Sequence, residues 1–539
     1  MSQEGSIDVA DRQAQPPELL SVRSPGPRRL TRLILPGLPA LFFCVGLLQM
    51  LFVTPGPQVL FRDSDAGWHI RNGEAILANR AAPRADSFSY SRAGRPWFAW
   101  EWLADALLGG VHKAGGVLGV SFLTAVAIML STAAAVKLSL ALGANFFLAA
   151  LGGFAVLGTS SIHWLARPHI FSWLLAVAFL AVAERERRRS TRLLLLLPPL
   201  ACLWTNMHGS FLLAPAILFV YAAGEVLNGE EGRRARLRLA AAGLASLLAT
   251  FINPYGWKVH SHILTYLRDS YIMDHVAEFR SFSFHLDGAG YVELFLAIAA
   301  AGTVALFVQR QWGPALLGVV LLKMSLYSAR HLPTAAVLLT PLCVAALTRE
   351  MEKWAALRPF LNYSERVAAL GRQMSGAATV VTVLVLTALG LYGLSLQGQV
   401  GFNPEIFPVR AAGYLEQRGL DRQPPSTQPR VFAADQFGGY LIYRFNGRLK
   451  VFIDGRSDFY GQDLLEQYAQ VMDTKPGWDR VLAEYNVRFV LVRSDQVLSS
   501  VLSIVPGWKR VYADSLVNVF EKEPQEIGTR DSGLEAPRP

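Results

Sequence analysis

The chain has 539 residues, 52% of them hydrophobic and only 17% charged, with a formal net charge of +10. Soluble chains carry about 25% charged residues, so this balance excludes an ordinary soluble globular protein. Repeated apolar runs of about 17–25 residues instead identify a polytopic α-helical membrane protein, and the arginines crowd into short loops between those runs, which argues for membrane insertion bias and against nucleic acid as a partner.

Residues 1–33 are polar, Pro-rich and basic, and read as a disordered cytoplasmic N-terminus. The apolar stretch 34–53 is too long for a signal-peptide core and lacks a small-residue cleavage site, so it reads as a retained first span. It opens a transmembrane domain over 34–397 whose first outer loop, 54–116, carries the sequence RDSDAGWHIRN at 62–72. That loop reads as a short helix over 66–79, a turn-rich piece (PRADSFSYSRAGRP), and a second amphipathic helix starting near WFAWEWLADALL. Trp97, Trp100 and Trp102 suit a membrane interface, where an indole is part apolar and part wet. Further spans are predicted at 117–141, 145–161, 170–184, 193–206, 211–227, 239–253, 290–308, 314–329, 334–348 and 377–397, eleven in all. Cys44, Cys202 and Cys343 lie in apolar segments without metal-ligand spacing and read as buried small hydrophobes.

From 398 to 525 the composition becomes that of a soluble domain. Helical periodicity in PVRAAGYLEQRGL, GQDLLEQYAQVM and WDRVLAEYN alternates with strand-like PRVFAA, KVFIDG and VRFVLVR, and a hairpin closes around Asp514 and Ser515. The expectation is a C-terminal extracytoplasmic α/β domain with its own core, followed by a disordered tail at 526–539.

Loop charge sets the orientation. RRLTR (28–32), ERERRRSTR (184–192), EEGRRARLR (230–238) and the stretch 349–372 are Arg-rich and read as cytoplasmic, whereas ARPH (166–169), NMHGS (206–210), NPYGW (253–257) and ARHLP (329–333) read as outer turns. Every polar cluster then falls on the outer face, together with the first loop.

That face holds the candidate chemistry. Asp63 and Asp65, two apart, do not share a helix face but can converge from an extended segment on one acceptor hydroxyl or on one Mg²⁺ or Mn²⁺ ion. Simple N-capping by Ser64 or Asp65 explains one acid and not two. Arg167, His169, His208, Lys258, Arg330 and His331 come from four outer turns, with His163 and His260 beside them, and suit a phosphate or pyrophosphate leaving group. Taken singly, each is as well explained by snorkelling or by a backbone hydrogen bond; their repetition on one face is what counts. Arg268, Asp269, Asp274, His275, Glu278 and Arg280 mark an outer loop of the solvated kind, and Glu101 and Asp105 share a helix face that reads as ordinary polar surface. In the C-terminal part, Asp435 in ADQFGGYLIY and Asp454 and Arg456 in VFIDGRSDFYG sit beside glycines at expected strand ends, where either ligand binding or turn formation accounts for them.

One acidic helical outer loop after the first span, many spans and an outer soluble domain resemble the GT-C superfamily of membrane glycosyltransferases. DAGWHIR (65–71) resembles the first-loop acidic motif of the oligosaccharyltransferase catalytic subunit, and DQFGGYLIY with VFIDGRSDFYG is similar to its Trp-Trp-Asp-Tyr-Gly region and the Asp-containing strand after it. The resemblance implies Asp65 as the acid that positions metal or acceptor, and Asp435 on the acceptor side. It departs where Ala434, Gln436 and Phe437 replace the double Trp and the Tyr, and where the turn 160–169 lacks an Asp-x-Asp, which argues against an asparagine acceptor. The expected activity is inverting transfer of a sugar from a polyprenyl-phosphate-linked donor to a glycan, lipid or protein acceptor. The place expected for it is the outer face of a bacterial cytoplasmic membrane. In that reading Asp65 with Asp63 is base or metal ligand, Arg167, His169, His208, Lys258, Arg330 and His331 hold the phosphate, and Asp435, Asp454 and Arg456 shape the acceptor side. The alternatives are a transporter of lipid-linked saccharide, against which the absence of an internal repeat weighs, and a non-catalytic scaffold with an outer binding domain.

Overall fold

Apolar length dictates the first level of structure. The computed structural model describes residues 29–53, 56–424 and 426–524, so the expected disorder of residues 1–28 and of 526–539 lies outside the described residues. Arg29–Ile34, at the end of the segment expected to be disordered, is a short helix. Among the described residues, six helices are long and apolar enough to cross a membrane: Trp102–Ala141, Phe146–His163, Gly209–Val226, Ala289–Val308, Ala329–Glu352 and Ala377–Leu396. They make this an integral membrane protein. Shorter apolar helices occupy Leu38–Phe52, Arg192–Met207 and Trp312–Tyr327, and the helices His169–Arg188 and Gly229–Ala249 cover the remaining segments expected to be spans.

Ala329–Glu352 is the hub: 83% of its apolar window is buried inside the protein, against 17% for the peripheral Ala377–Leu396. Small residues let its neighbours approach closely, as they must where lipid supplies no hydrophobic drive between helices. A β-carbon on Gly302 would lie 2.1 Å from Cβ of Cys343, and one on Gly152 2.5 Å from Cγ2 of Thr340.

The long helix Trp102–Ala141 breaks at Gly116, whose φ of 58° and ψ of −156° are closed to other residues. Open space surrounds that position, so backbone angle and not crowding demands glycine there. The break separates a loop helix from the apolar segment after it, and turns the face bearing Glu101 and Asp105 toward the first-loop helix Asp65–Asn79. Those two helices touch backbone to backbone: a β-carbon on Gly73 would lie 1.7 Å from the carbonyl oxygen of Asp105, and one on Gly109 2.4 Å from the amide of Glu74.

After residue 398 the chain forms a four-stranded sheet, β1 (Arg430–Ala433), β2 (Val487–Arg493), β3 (Trp508–Ala513) and β4 (Val517–Lys522), in the order β1-β2-β4-β3. β1 and β2 run parallel, while β2–β4 and β3–β4 are antiparallel. Helices Val409–Gln417, Asp435–Arg444, Ser457–Met472 and Trp478–Glu484 pack around it. The expected strand in KVFIDG does not form. Val451 makes only single bridges, to Ser89 and to Val431, because its N–H donates to the Phe88 carbonyl and its own carbonyl accepts from the Tyr90 N–H. The segment is shared between the first loop and the sheet. ADQFGGYLIY follows β1 directly: Asp435, two residues past the strand's last residue Ala433, begins the helix Asp435–Arg444. That helix lies on the helix Asp65–Asn79 through Gly67 and Gly439: a β-carbon on the first would lie 2.2 Å from the carbonyl oxygen of the second.

Candidate active site

The site begins with how RDSDAGWHIRN enters its helix. Ser64 is the N-cap but makes no side-chain capping bond. Asp63 does that work, its Oδ1 accepting from the Asp65 N–H at 2.8 Å. Asp65, the first helical residue and only 5% exposed, is thereby free of capping. Its carboxylate meets the guanidinium of Arg167, with Oδ2 2.9 Å from Nη2. The same guanidinium holds Asp63 Oδ2 and Glu278 Oε1, each 2.8 Å from Nη1. Backbone bonds fix these partners: Ala166 N–H donates to the Leu60 carbonyl and Ala329 N–H to the Arg280 carbonyl. Ser328 Oγ donates to the Glu278 carbonyl, so the Glu278 and Arg330 turns are tied together.

Burial and the neighbouring Asp63 push the Asp65 carboxyl up, to about 8, against the pull of Arg167. Burial works against the charge of Arg167, but Glu278, Asp65 and Asp63 outweigh it and hold the guanidinium well above its ordinary value. Burial likewise disfavours the Glu278 carboxylate, yet Arg167 and Arg330 keep it far below the usual range.

Two cavities meet at this cluster, and Arg167 and Arg330 line both. One is walled by imidazoles: His163, His169, His208 and His331, with Ser172, Ser210 and Glu278. His208 Nδ1 accepts from the Ser210 N–H at 3.2 Å, which assigns its proton to Nε2, 3.4 Å from Glu101 Oε1. His169 Nε2 donates to the His163 carbonyl at 2.9 Å. The other cavity is acidic and aromatic, lined by Asp65, Glu101, Asp458, Trp97, Trp100 and Tyr266. In it Glu101 Oε2 lies 3.7 Å from His69 Nε2, and His69 Nδ1 lies 2.6 Å from Asp105 Oδ1. Asn72 donates to the other Asp105 oxygen at 2.6 Å. Burial drives Glu101 up to about 7 and His69 down to about 3.

The structure therefore brings together Asp63, Asp65, Arg167, His169, His208, Arg330 and His331. It adds Glu278, read in the sequence as loop charge, and Glu101, Asp105 and His69. The four-residue spacing of Glu101 and Asp105 was a usable signal, but only the glycine contact that seats one helix on the other turns it into a site. Lys258 is exposed at the start of Lys258–Tyr266 and lines neither cavity. Asp435 is exposed too and lines neither; it accepts from Tyr468 Oη at 3.1 Å. Asp454 and Arg456 form a buried fork, Nε to Oδ1 at 2.8 Å and Nη2 to Oδ2 at 2.7 Å, closed by Asp86 at 2.9 Å from Nη1. Arg456 stacks 4.5 Å from the Trp97 ring and reaches the rim of the acidic cavity.

A divalent cation at Asp63 and Asp65 does not fit this arrangement. Both carboxylates direct an oxygen at hydrogen-bonding distance to Arg167, as does Glu278. Among the described residues no group of three His, Cys, Asp or Glu side chains is disposed to hold a metal.

No protein-family model matches the chain, and no curated protein matches it in sequence. Solved structures do match in fold. The oligosaccharyltransferase AglB of Archaeoglobus fulgidus, solved with an inhibitory peptide and a dolichol phosphate, aligns at TM-score 0.54 and 11% identity over 84% of this chain and 69% of its own. The same organism's enzyme in complex with Zn and sulfate aligns at 0.51 and 12%, over 84% and 68%. ArnT of Cupriavidus metallidurans bound to undecaprenyl phosphate gives 0.47 and 13%, over 89% and 96%. The GT-C resemblance thus holds at the level of the fold.

Proposed function

We propose that this protein is an inverting membrane glycosyltransferase, moving a sugar from a polyprenyl-phosphate-linked donor to an acceptor hydroxyl on the outer face of a bacterial cytoplasmic membrane. The observation that carries the reading is the pair of cavities joined at Arg167 and Arg330, one imidazole-walled and one acidic. The shared fold with AglB, a protein solved with dolichol phosphate and a peptide, supports a lipid phosphate as leaving group. In this reading the five remaining helices also cross the membrane, giving eleven crossings, the outer sheet with its helices is the extracytoplasmic α/β domain, and residues 29–32 face the cytoplasm.

The donor phosphate lies in the imidazole-walled cavity, against Arg330, His169, His208 and His331, with Arg167 at its inner edge. The acceptor enters the acidic cavity, where Arg456 and the Asp454 turn shape the wall. The acceptor oxygen forms its bond to the anomeric carbon as the bond from that carbon to the phosphate oxygen breaks. The leaving phosphate keeps the bonding electrons, and its growing charge is met by Arg330 and the imidazole N–H groups. The acceptor proton passes to Asp65: burial pushes its carboxyl up to about 8, so the ionised fraction is a strong base for a hydroxyl proton. Attack from one cavity and departure into the other is a single displacement, hence inversion. Lys258 and Asp435, outside both cavities, have no part in these steps.

The test is transfer from a polyprenyl-phosphate sugar by the purified protein in proteoliposomes, compared with Asp65→Asn and Asp63→Asn. Loss in Asp65→Asn, with a smaller loss in Asp63→Asn, is expected. Full transfer by both variants removes the mechanism, and movement of intact lipid-linked sugar across the bilayer without bond cleavage replaces it with a carrier.

A further inference from the structure

Asp63, Asp65 and Glu278 come from two segments far apart in sequence, yet all three end on one guanidinium, at 2.8, 2.9 and 2.8 Å. We infer that Arg167 is the resident cation of this site: it stands where a divalent ion would gather these carboxylates, and the site neither binds nor needs a metal.

The geometry is that of hydrogen bonds and not of coordination. A magnesium ion draws oxygens to about 2.0–2.1 Å of one centre; these oxygens instead take two different nitrogens of a planar fork. Asp63 and Glu278 share Nη1 while Asp65 takes Nη2, so the fork assigns each acid its own direction. Little charge is left for an ion to neutralise. Three carboxyl groups face Arg167, and Arg330 supplies a second positive charge, 3.7 Å from the far oxygen of Glu278, so at most one negative charge remains. A dication added here would sit beside a buried guanidinium that cannot surrender its charge, held as it is well above its ordinary pKa by the acids around it. Arg167 is sequestered as well, its side chain only 16% exposed.

The role this gives Arg167 is positioning. It fixes the Asp65 carboxylate at the boundary of the two cavities. The use of that boundary for sugar transfer rests on the reading above, but the binding claim does not.

The experiment is a manganese titration of the purified full chain after chelation, with free Mn²⁺ read by electron paramagnetic resonance. The wild type and an Asp63→Asn/Glu278→Gln variant are expected to give the same curve. Arg167→Met, which keeps the stem and removes the fork, is expected to gain about one Mn²⁺ per chain, lost again when Glu278→Gln is added. A site of unit stoichiometry in the wild type that disappears in the double variant overturns the inference whatever the variants of Arg167 do. So does a folded Arg167→Met that gains nothing. Transfer in the presence of EDTA is the second readout, expected at the untreated rate. Abolished transfer in every condition, with no manganese bound, would sink the transferase reading alone. Manganese bound and required, with transfer intact, would sink this one alone.

Discussion

The carboxylate of Asp65 lies directly under Gly455: a β-carbon built on that glycine would fall 1.9 Å from Oδ1. The acid belongs to the first loop and the glycine to the segment between sheet and helix after residue 398, so the apolar helical part and the part after residue 398 complete one site. The Asp454–Arg456 fork on either side of the glycine explains how. Arg456 is clamped by Asp454 and Asp86 and stacked on Trp97, which leaves the intervening residue no freedom to retreat.

Gly455→Ala therefore displaces the Asp65 carboxylate and not the loop. Misplacing a reacting group by about 1 Å can lower turnover about 100-fold, and a loss of that order in kcat is expected with a nearly unchanged KM for the lipid donor, whose cavity lies on the other side of Arg167. Steady-state transfer kinetics check it. A rise in donor KM with kcat intact would show that the loop moves instead.

The glycine pair Gly67 and Gly439 carries the same junction at backbone level. A β-carbon on Gly67 would lie 2.2 Å from the Gly439 carbonyl oxygen, and one on Gly439 2.3 Å from the Ser64 carbonyl oxygen. Overpacking of this kind costs about 1–3 kcal/mol or more. Gly67→Ala and Gly439→Ala are each expected to lower the melting temperature and to expose the part after residue 398 to protease. Gly413→Ala is the control: its added carbon meets nothing within 4 Å, in the middle of the helix Val409–Gln417, so a gain of about 0.5–1 kcal/mol is expected there.

How much of this was legible beforehand follows from the range of the interactions. Apolar runs are local, so each segment expected to be a span is occupied by a helix, and the acids of RDSDAGWHIRN stood out because two carboxylates exceed what one cap needs. The grouping of Arg167, Arg330 and the histidines followed from assigning their turns to one face of the bundle, where the ends of neighbouring helices crowd together. Glu278 was hidden because a carboxylate in a polar loop looks solvated until its partner is known, and that partner is 111 residues away. Glu101 was hidden because its importance depends on a helix contact made by Gly73 and Gly109. Asp435 is the opposite case: a motif-like sequence singled it out, but it begins the helix Asp435–Arg444, accepts from Tyr468 Oη and lines neither cavity.

Glu101 makes a pH prediction. Burial raises its carboxyl from 4.5 to about 7, so the folded state holds a proton that the unfolded chain has released. The stabilisation is complete below about pH 4.5 and is lost as pH rises through 7. His69 opposes it over part of the range: lowered from 6.5 to about 3, it contributes stability above 6.5 that is lost on acidification. The wild-type curve alone conceals both. The difference between Glu101→Gln and wild type isolates the acid, because Gln keeps the neutral form. That difference is expected to shift in favour of the variant by on the order of 3 kcal/mol between pH 4.5 and 8, measured by thermal unfolding in detergent. A flat difference would mean that Glu101 is ionised throughout.

Arg330 separates the two cavities' roles most cleanly. Its one ion pair among the described residues is the 3.7 Å contact to Glu278 Oε2, and its guanidinium stacks 5.1 Å from the Phe279 ring. Unlike Arg167, it has donors to spare for a ligand, and it lines the imidazole-walled cavity where that meets the acidic one. A charged hydrogen bond contributes about 1.5–3 kcal/mol, equivalent to about 10- to 100-fold in affinity. Arg330→Ala is expected to raise the donor KM by that factor while leaving the acceptor KM within about 2-fold, because the acidic cavity keeps Arg167 and Asp65. Arg330→Lys, which keeps the charge but not the fork, should recover part of the loss if the ligand is a phosphate read by two oxygens at once. Inhibition by free polyprenyl phosphate gives the same answer without turnover: its binding should weaken in parallel with donor KM. An Arg330→Ala variant that binds polyprenyl phosphate as tightly as wild type would show that Arg330, which lines both cavities, does not hold the phosphate.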